Sequence, residues 1–600
     1  MTTPRRATEA DGRHGDPAAP VPPGGTSSAT GAEPAGSATT EPGSTGPRSA
    51  QPGDTEPGAE DALRRRLGLR PRGHRLHPTA RLWGWVGPLL VTALAAVLRL
   101  VNLEHPGHLV FDETYYVKQA YSLLVLGYEG RWADDVDPAF AAGDTSGLST
   151  DPDYVVHPQV GKWMIAIGLR LLGADDATGW RISAALTGTL AVLLLSRVAV
   201  RLFRSPLLGS VAGLLLAVDG MHLTASRISL LDGFLTFWVL VGFWAVLRDR
   251  ESSRAHLARE AAAEPAGTGG LRGRLGPGAG PRWWLVAAGV ALGLATGVKW
   301  SGLYAVAVLG ILVLCWDTAA RRTVGARRWV AGGVLRGGVP AFVALVPTAA
   351  VTYLAGWFSW FATPGAYLRT WAADQRAAGE VIQPGVPDAL ASWWEYHRRM
   401  FDFHTGLASE HSYEAHPAGW LVQWRPTSFY WPEDPPQDCG AERCVEAITS
   451  LGNPVLWWLA AAALLVVGWT AVRRRDWRSW AILAGYGAMY VPWFAYTERT
   501  IFTFYAVAFT PYVVLALTYG LGWVTGVLKP PGTAAPSPPR GRRWFVHQDG
   551  DVAPGPAGWW VLTVVVAVVL LVSAFFWPVW TGQSVSYGFW HAHMWLASWV

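Results

Sequence analysis

Apolar residues dominate this chain in long, nearly charge-free runs over 83–101, 182–197, 206–219, 229–247, 283–297, 302–317, 331–356, 455–472, 479–495, 501–524 and 559–579. Runs of this kind predict membrane-spanning helices, each approaching the ~20 residues that cross a bilayer. Between them lie two long polar stretches, 102–181 and 357–452, and the chain ends on a short segment, 581–600. The predicted fold class is an all-α polytopic membrane protein with about eleven transmembrane helices over 83–580.

Composition agrees with that pattern. Half of the 600 residues are hydrophobic and only 16% are charged, against about a quarter charged in soluble proteins. That excludes a soluble multidomain enzyme, and three cysteines exclude a disulfide scaffold. Residues 1–82 contain no aromatic side chain, and 1–60 hold ten Pro and ten Gly. Such a segment buries too little apolar surface to offset its ordering entropy, so 1–82 reads as a disordered cytoplasmic tail. Its Arg cluster, Arg64 to Arg81, abuts the first apolar run, where arginine fixes topology and meets anionic lipid. A nucleic-acid partner is not expected.

Charge sets the orientation. Loops 198–205, 248–282, 318–330, 473–478 and 525–558 are rich in Arg, including Arg540, Arg542 and Arg543. By contrast, 102–158 holds ten acidic residues against Lys118 and Arg131, and 357–452 holds twelve against six basic. The positive-inside rule then puts the N-terminus in the cytoplasm and the C-terminus outside, in the plasma membrane. Segment 161–172 is too short to span, and counting it would put Arg197, Arg201 and Arg204 outside. It is expected as an amphipathic helix on the outer surface.

Ionisable residues at the outer ends of the runs form one constellation: Asp112, Glu113, Lys162, Arg181, Arg227, Asp232, Lys299 and Arg499. Charges within or beside a span usually face a polar cavity or a partner. Arg227 and Asp232 could simply pair with neighbours, and Lys299 and Arg499 could snorkel to headgroups. Their sidedness favours a site, because the cations fall on the face otherwise depleted of Lys and Arg. Clustered cations suit a phosphate, and adjacent carboxylates suit acid/base work. Together they suggest attack by a hydroxyl on a carbon bearing a phosphate leaving group, with neither a general acid nor a metal required.

At these residues the chain resembles the bacterial protein O-mannosyltransferases, relatives of the eukaryotic dolichyl-phosphate-mannose–protein mannosyltransferases, with an actinobacterial composition. The matching blocks are Phe111–Lys118, His157–Trp163, Trp180–Thr189, Ser226–Asp232, Gly297–Gly302 and Trp424–Pro426. The resemblance implies a GT-C glycosyltransferase fold whose first outer loop holds interfacial helices. It implies transfer of mannose from polyprenyl-phosphate-mannose to Ser or Thr of exported proteins, with inversion and no cofactor. Asp112 then resembles the catalytic carboxylate, with Glu113 beside it, and Arg181 an arginine important in the family. Arg181, Arg227, Lys299, Arg499 and Lys162 are the candidates for the donor phosphate and lipid. His157, Asp232, Trp420 and Trp424 are the candidates for a sugar or acceptor groove. The family commonly has His-Pro-Pro where His157-Pro158-Gln159 stands here, and 357–452 lacks the inserted β-trefoil of the eukaryotic relatives.

The loop 357–452 is dense in Trp and His, but no tight paired motif suggests a metal site. Cys439 and Cys444 lie on the oxidising side and suit a local disulfide; Cys315 is expected as inert packing within a span. Two other functions compete: a GT-C transferase acting on a glycan or lipid, and a transporter using the intramembrane charges as a path. A transporter predicts repeated broken helices in two halves, and the sequence shows no such pairing.

Overall fold

The structure, a computed structural model, describes residues 58–73, 77–263, 271–528 and 553–600. A short helix, α1 (Ala59–Arg66), precedes the first apolar helix, α2 (Pro78–Leu100). The long loop after it holds α3 (Glu113–Leu126) and α4 (Val160–Leu172). The bundle continues with α5 (Ala177–Phe203), α6 (Pro206–Ala217), α7 (Gly220–Arg227) and α8 (Leu231–Ala263). Next come α9 (Trp283–Val298), α10 (Gly302–Thr323) and α11 (Trp329–Ala355). The second long loop carries α12 (Asp388–Gly406). Four helices complete the bundle: α13 (Pro454–Arg473), α14 (Trp477–Met489), α15 (Thr503–Val524) and α16 (Pro556–Thr581). A last turn of helix, α17 (Tyr587–Ala592), follows.

Each of the eleven apolar runs coincides with helix. Among the described residues, eight helices are long and apolar enough to cross a membrane, or nine if α6 and α7 form one bent span. The run read as 206–219 breaks by 60° after Ala217 and continues to Arg227. Asp219 holds the break: Oδ1 accepts from His222 N at 3.1 Å, and Oδ2 from Asn453 N and Trp457 Nε1. α9, with 16 residues, is wedged against α8 and α11. A Cβ on Gly293 would lie 2.6 Å from Ala349 O, and one on Gly289 2.7 Å from Leu345 O. This small-residue stripe lets the two backbones meet, as in membrane helix packing.

α4 is the expected short helix outside the spans. Gly161, Lys162, Ile165, Ala166 and Leu169 face inward, while Ile167, Arg170, Leu171 and Leu172 are exposed. Its outer side is thus apolar with a single charge, the composition of a helix lying in a membrane boundary.

Three expectations need correction. The stretch 1–82 is not without order throughout, because Ala59–Arg66 is helical and Leu67 and Leu69 bury against Leu257 and Ala258 of α8. Average composition concealed that local cluster of leucines. Residues 1–57 and 74–76 lie outside the described residues, as do Arg540, Arg542 and Arg543. The segment 581–600, expected as a tail, folds onto the second long loop: Val585–Ser586 pairs antiparallel with Cys444–Val445, and Trp599 Nε1 donates to Gln423 O. Cys315 is exposed on α10 rather than packed inside. Cys439 and Cys444 are joined by a disulfide.

Contacts show which loops share a side. His404 of the second loop donates to Val156 O of the first, and the C-terminal strand joins the same group. At the other ends, Arg201 pairs with Glu251 and α1 packs on α8. With the arginine distribution, the positive-inside rule predicts a cytoplasmic side for the second group. A reporter active only outside the cytoplasm should work when fused after Val600 and fail when fused after a truncation at Ala263. Activity of both fusions, or of the second alone, would contradict this orientation.

Candidate active site

The Phe-Asp-Glu segment that carried the chemical argument lies where the first long loop turns into α3. Phe111 has a left-handed backbone, φ 52°, a costly conformation for a bulky residue that tertiary packing must hold. Its ring supplies that packing, stacked on Phe429 at 4.7 Å and edge-on to Phe504 at 5.4 Å. The turn separates the two carboxylates that follow it.

Glu113 points into the protein. It and Arg181 are both 0% exposed and form a two-bond fork, Arg181 Nε to Oε1 at 2.9 Å and Nη2 to Oε2 at 2.8 Å. The same carboxylate accepts Val110 N at 2.9 Å and Ser229 N at 2.8 Å. Arg181 also donates to Leu103 O, Pro106 O and His108 O. One ion pair therefore ties the loop 103–113 to α5 and to the start of α8. It leaves no Arg181 donor for a phosphate and no Glu113 lone pair for an acceptor hydroxyl. The expected roles of Arg181 at the donor phosphate and of Glu113 in acid/base chemistry do not fit this geometry.

Asp112 is different. It is half-buried, and Tyr116 donates to its Oδ2 at 3.3 Å. Burial pushes its pKa up to about 6, with Lys299 opposing the rise and Asp232 adding to it. Lys299 and Asp232 form an ion pair of 2.7 Å across the ends of α9 and α8, and the Lys299 Nζ also lies 5.2 Å from the Tyr505 ring centroid. Both line a cavity of about 710 Å3.

That cavity has two kinds of wall. Leu303, Val306, Val346, Ala349 and Ala350 supply an apolar side from α10 and α11, at the level of the spans. His157, Asp232, Lys299, His404 and Arg499 supply a polar end. Arg499 Nε is buried there without a hydrogen-bond partner among the described residues. His157 stacks on His404 with ring centroids 5.1 Å apart. Burial, then Lys299 and the neighbouring imidazole, keep His157 well below the usual range, and burial with Arg499 lowers His404 to about 4. Both rings are thus neutral near pH 7. With His404 Nε2 donating to Val156 O at 2.7 Å, its Nδ1 is a buried acceptor with no partner among the described residues. Behind them, Trp300 donates to Tyr353 OH at 2.8 Å, and Tyr353 to His397 Nε2 at 2.6 Å.

The remaining candidates fall outside the cavity. Arg227 donates to Leu98 O, Arg99 O, Val101 O and Asn102 O, closing the C-terminal end of α2. Lys162 is consumed by Glu129 and His157 O, so it positions the His157 backbone. Trp420 is 0% exposed and packs behind Trp493 and Tyr505, which do line the cavity. Trp424 is 57% exposed and away from it. Of the eleven predicted residues, the cavity gathers His157, Asp232, Lys299 and Arg499, with Asp112 in electrostatic reach. Tyr505, Trp300 and Glu129 were missed. Tyr505 had a signal, a polar aromatic in Phe502–Tyr505 at the outer end of a span, close after Arg499; Glu129 had none among ten loop carboxylates. No group of three or more His, Cys, Asp or Glu is placed to hold a metal ion among the described residues.

Comparison with known proteins agrees with the resemblance. A family model described as dolichyl-phosphate-mannose-protein mannosyltransferase matches residues 89–262 and 278–346. A second, the C-terminal four-transmembrane region of protein-O-mannosyltransferase, matches 389–599. The polyprenol-phosphate-mannose–protein mannosyltransferase of Mycobacterium tuberculosis is 36% identical over 537 residues, covering 87% of this chain and 93% of its own. That of Corynebacterium glutamicum is 31% identical over 522 residues, covering 85% and 92%. In structure, the chain is similar to the Saccharomyces cerevisiae protein O-mannosyltransferase Pmt1-Pmt2 complex bound to the sugar donor. The TM-score is 0.62 at 14% identity, covering 91% of this chain and 95% of that one, which shows a shared GT-C fold. The chain belongs to the family of polyprenyl-phosphate-mannose–protein O-mannosyltransferases.

Proposed function

We propose that the chain transfers mannose from polyprenyl-phosphate-mannose to Ser or Thr hydroxyls of exported proteins at the outer face of the plasma membrane, inverting the anomeric carbon. The observation that carries this reading is the single cavity joining an apolar wall at membrane depth to a cation-bearing end within electrostatic reach of Asp112. Its shape suits an amphiphile with an apolar chain and an anionic head. Arg499 and Lys299 face the phosphate, and the vacant His404 Nδ1 accepts from a sugar hydroxyl.

In the transfer, the acceptor oxygen attacks the anomeric carbon on the face opposite the phosphate. Its proton passes to the Asp112 carboxylate as the carbon–oxygen bond to phosphate breaks. The electron pair leaves on polyprenyl phosphate, where the cations stabilise it. A phosphate ester assisted in this way leaves without a protonated acid or a metal. Glu113 and Arg181 act as positioning residues: their fork holds the turn that presents Asp112.

Asp112→Asn keeps size but removes the base, and should lower turnover about 100- to 10,000-fold, the usual contribution of general-base catalysis. Donor binding should stay near wild type. Full transfer to a Ser/Thr peptide by this variant, or transfer of mannose to lipid alone by the wild type, would overturn the reading.

The same carboxylate fixes the pH profile. The base must be ionised, so kcat/KM should fall as pH drops through about 6. A flat profile between pH 5 and 8 would contradict Asp112 as the base.

The two kinds of arginine should separate. Arg499→Gln removes a cation whose Nε has no partner among the described residues, so thermal stability should hold while donor affinity falls. The fall should be about ten- to a hundredfold, corresponding to ~1.5–3 kcal/mol for a charged hydrogen bond. Arg181→Gln strands the buried Glu113 and should cost about 3–5 kcal/mol of stability. Equal stability of the two variants, or a donor-binding defect only in Arg181→Gln, would reverse the assignment.

A further inference from the structure

A second cavity, of about 770 Å3, lies between α1, α2, α5 and α8. Along α8, Arg250 lies about 27 Å from Asp232 at 1.5 Å per residue. The second cavity is thus at the opposite membrane boundary from Asp112, on the side with the Arg-rich loops. Its walls join Leu190, Leu194, Phe237 and Val241 to Arg64, Arg197, Arg201, Arg204, Arg248 and Arg250. Glu251, paired with Arg201, is the one carboxylate on the lining.

Several of these guanidinium groups are held by aromatic faces rather than by acids. Arg197 lies 3.8 Å from the Trp85 ring centroid, Arg248 4.3 Å from Trp284, and Arg250 3.5 Å from Trp477. Stacking fixes a guanidinium while leaving its N–H edge available, as for Arg248 and Arg250; Arg197 also donates through Nη1 to Gly84 O. Arg201 Nε and Arg250 Nε are buried with no hydrogen-bond partner among the described residues. Buried donors of this kind call for an anionic acceptor. The excess of cations over one carboxylate sets its sign.

We propose that this cavity binds the phosphate headgroup of an anionic lipid of the cytoplasmic leaflet. The arginine forks match phosphate oxygens, and the apolar wall accommodates the start of the acyl chains, which a free phosphate lacks. The position coincides with the boundary where basic residues meet anionic headgroups. Lipid held there bridges α1 to the bundle and takes no part in mannosyl transfer.

The test uses the full chain purified in neutral detergent, titrated with fluorescent phosphatidylglycerol and phosphatidylcholine. Phosphatidylglycerol should bind at least about tenfold more tightly. In Arg248→Gln/Arg250→Gln its affinity should fall about ten- to a hundredfold, with phosphatidylcholine binding and mannosyl transfer unchanged. Among the described residues neither arginine hydrogen-bonds the protein through its side chain; if the double variant fails to fold, Arg248→Gln alone should show the weakened binding. Equal binding of the two lipids by the wild type, or unchanged phosphatidylglycerol binding by the variants, would overturn the proposal. Displacement by millimolar inorganic phosphate would assign the cavity to free phosphate and overturn the lipid.

Discussion

The buried fork between Glu113 and Arg181 is the constraint on which the site depends. Two charges removed from water repay their desolvation only when geometry is close and the remaining lone pairs and protons are bonded. Here both conditions are met, because two backbone N–H groups complete the carboxylate and three loop carbonyls complete the guanidinium. The pair is costly to break and fixes three segments at once: the loop before α3, the start of α5 and the start of α8. Neighbouring carboxylates would otherwise be equivalent in chemistry. The fork commits one to structure and leaves the other within electrostatic reach of Lys299 and Asp232.

A second ion pair carries the geometry onward. Lys299 and Asp232 join the ends of α9 and α8, and α9 is itself held by glycine contacts with α11. The cavity's membrane-level wall and the Lys299–Asp232 pair are therefore built on packed helices, which favours a preorganised site, while His157 and Arg499 reach the polar end from loops. The second long loop closes the site through His404 and Val156, with the chain end pinned to that loop by a short antiparallel pairing.

Much of this was legible in the sequence, for identifiable reasons. A membrane span needs a long apolar run, so all eleven runs marked helices, and arginine distribution sorted the loops. Asp112 and His157 were singled out by their blocks, Lys299 and Arg499 by sidedness, and Asp232 by its place at the outer end of a run. What could not be read was which cations were already spent. Arg181, Arg227 and Lys162 share charge and sidedness with Arg499, and only the three-dimensional carbonyls and Glu129 distinguish them. The role of Glu113 was hidden for the same reason, since its partner lies 68 positions away. Trp420 shows a related limit: an aromatic in a Trp-rich loop reads as groove or as core until its neighbours are known.

The central claim is that the donor's phosphate meets Arg499 and Lys299 in the 710 Å3 cavity while Asp112 faces the sugar and Arg181 remains locked to Glu113. A structure of the full chain with a bound polyprenyl-phosphate sugar tests it most directly. The account predicts phosphate oxygens within about 2.7–2.9 Å of Arg499 or Lys299 nitrogens, the usual charged hydrogen-bond distance, and an unbroken Glu113–Arg181 fork. Phosphate bound instead by Arg181, with the fork opened, would contradict it.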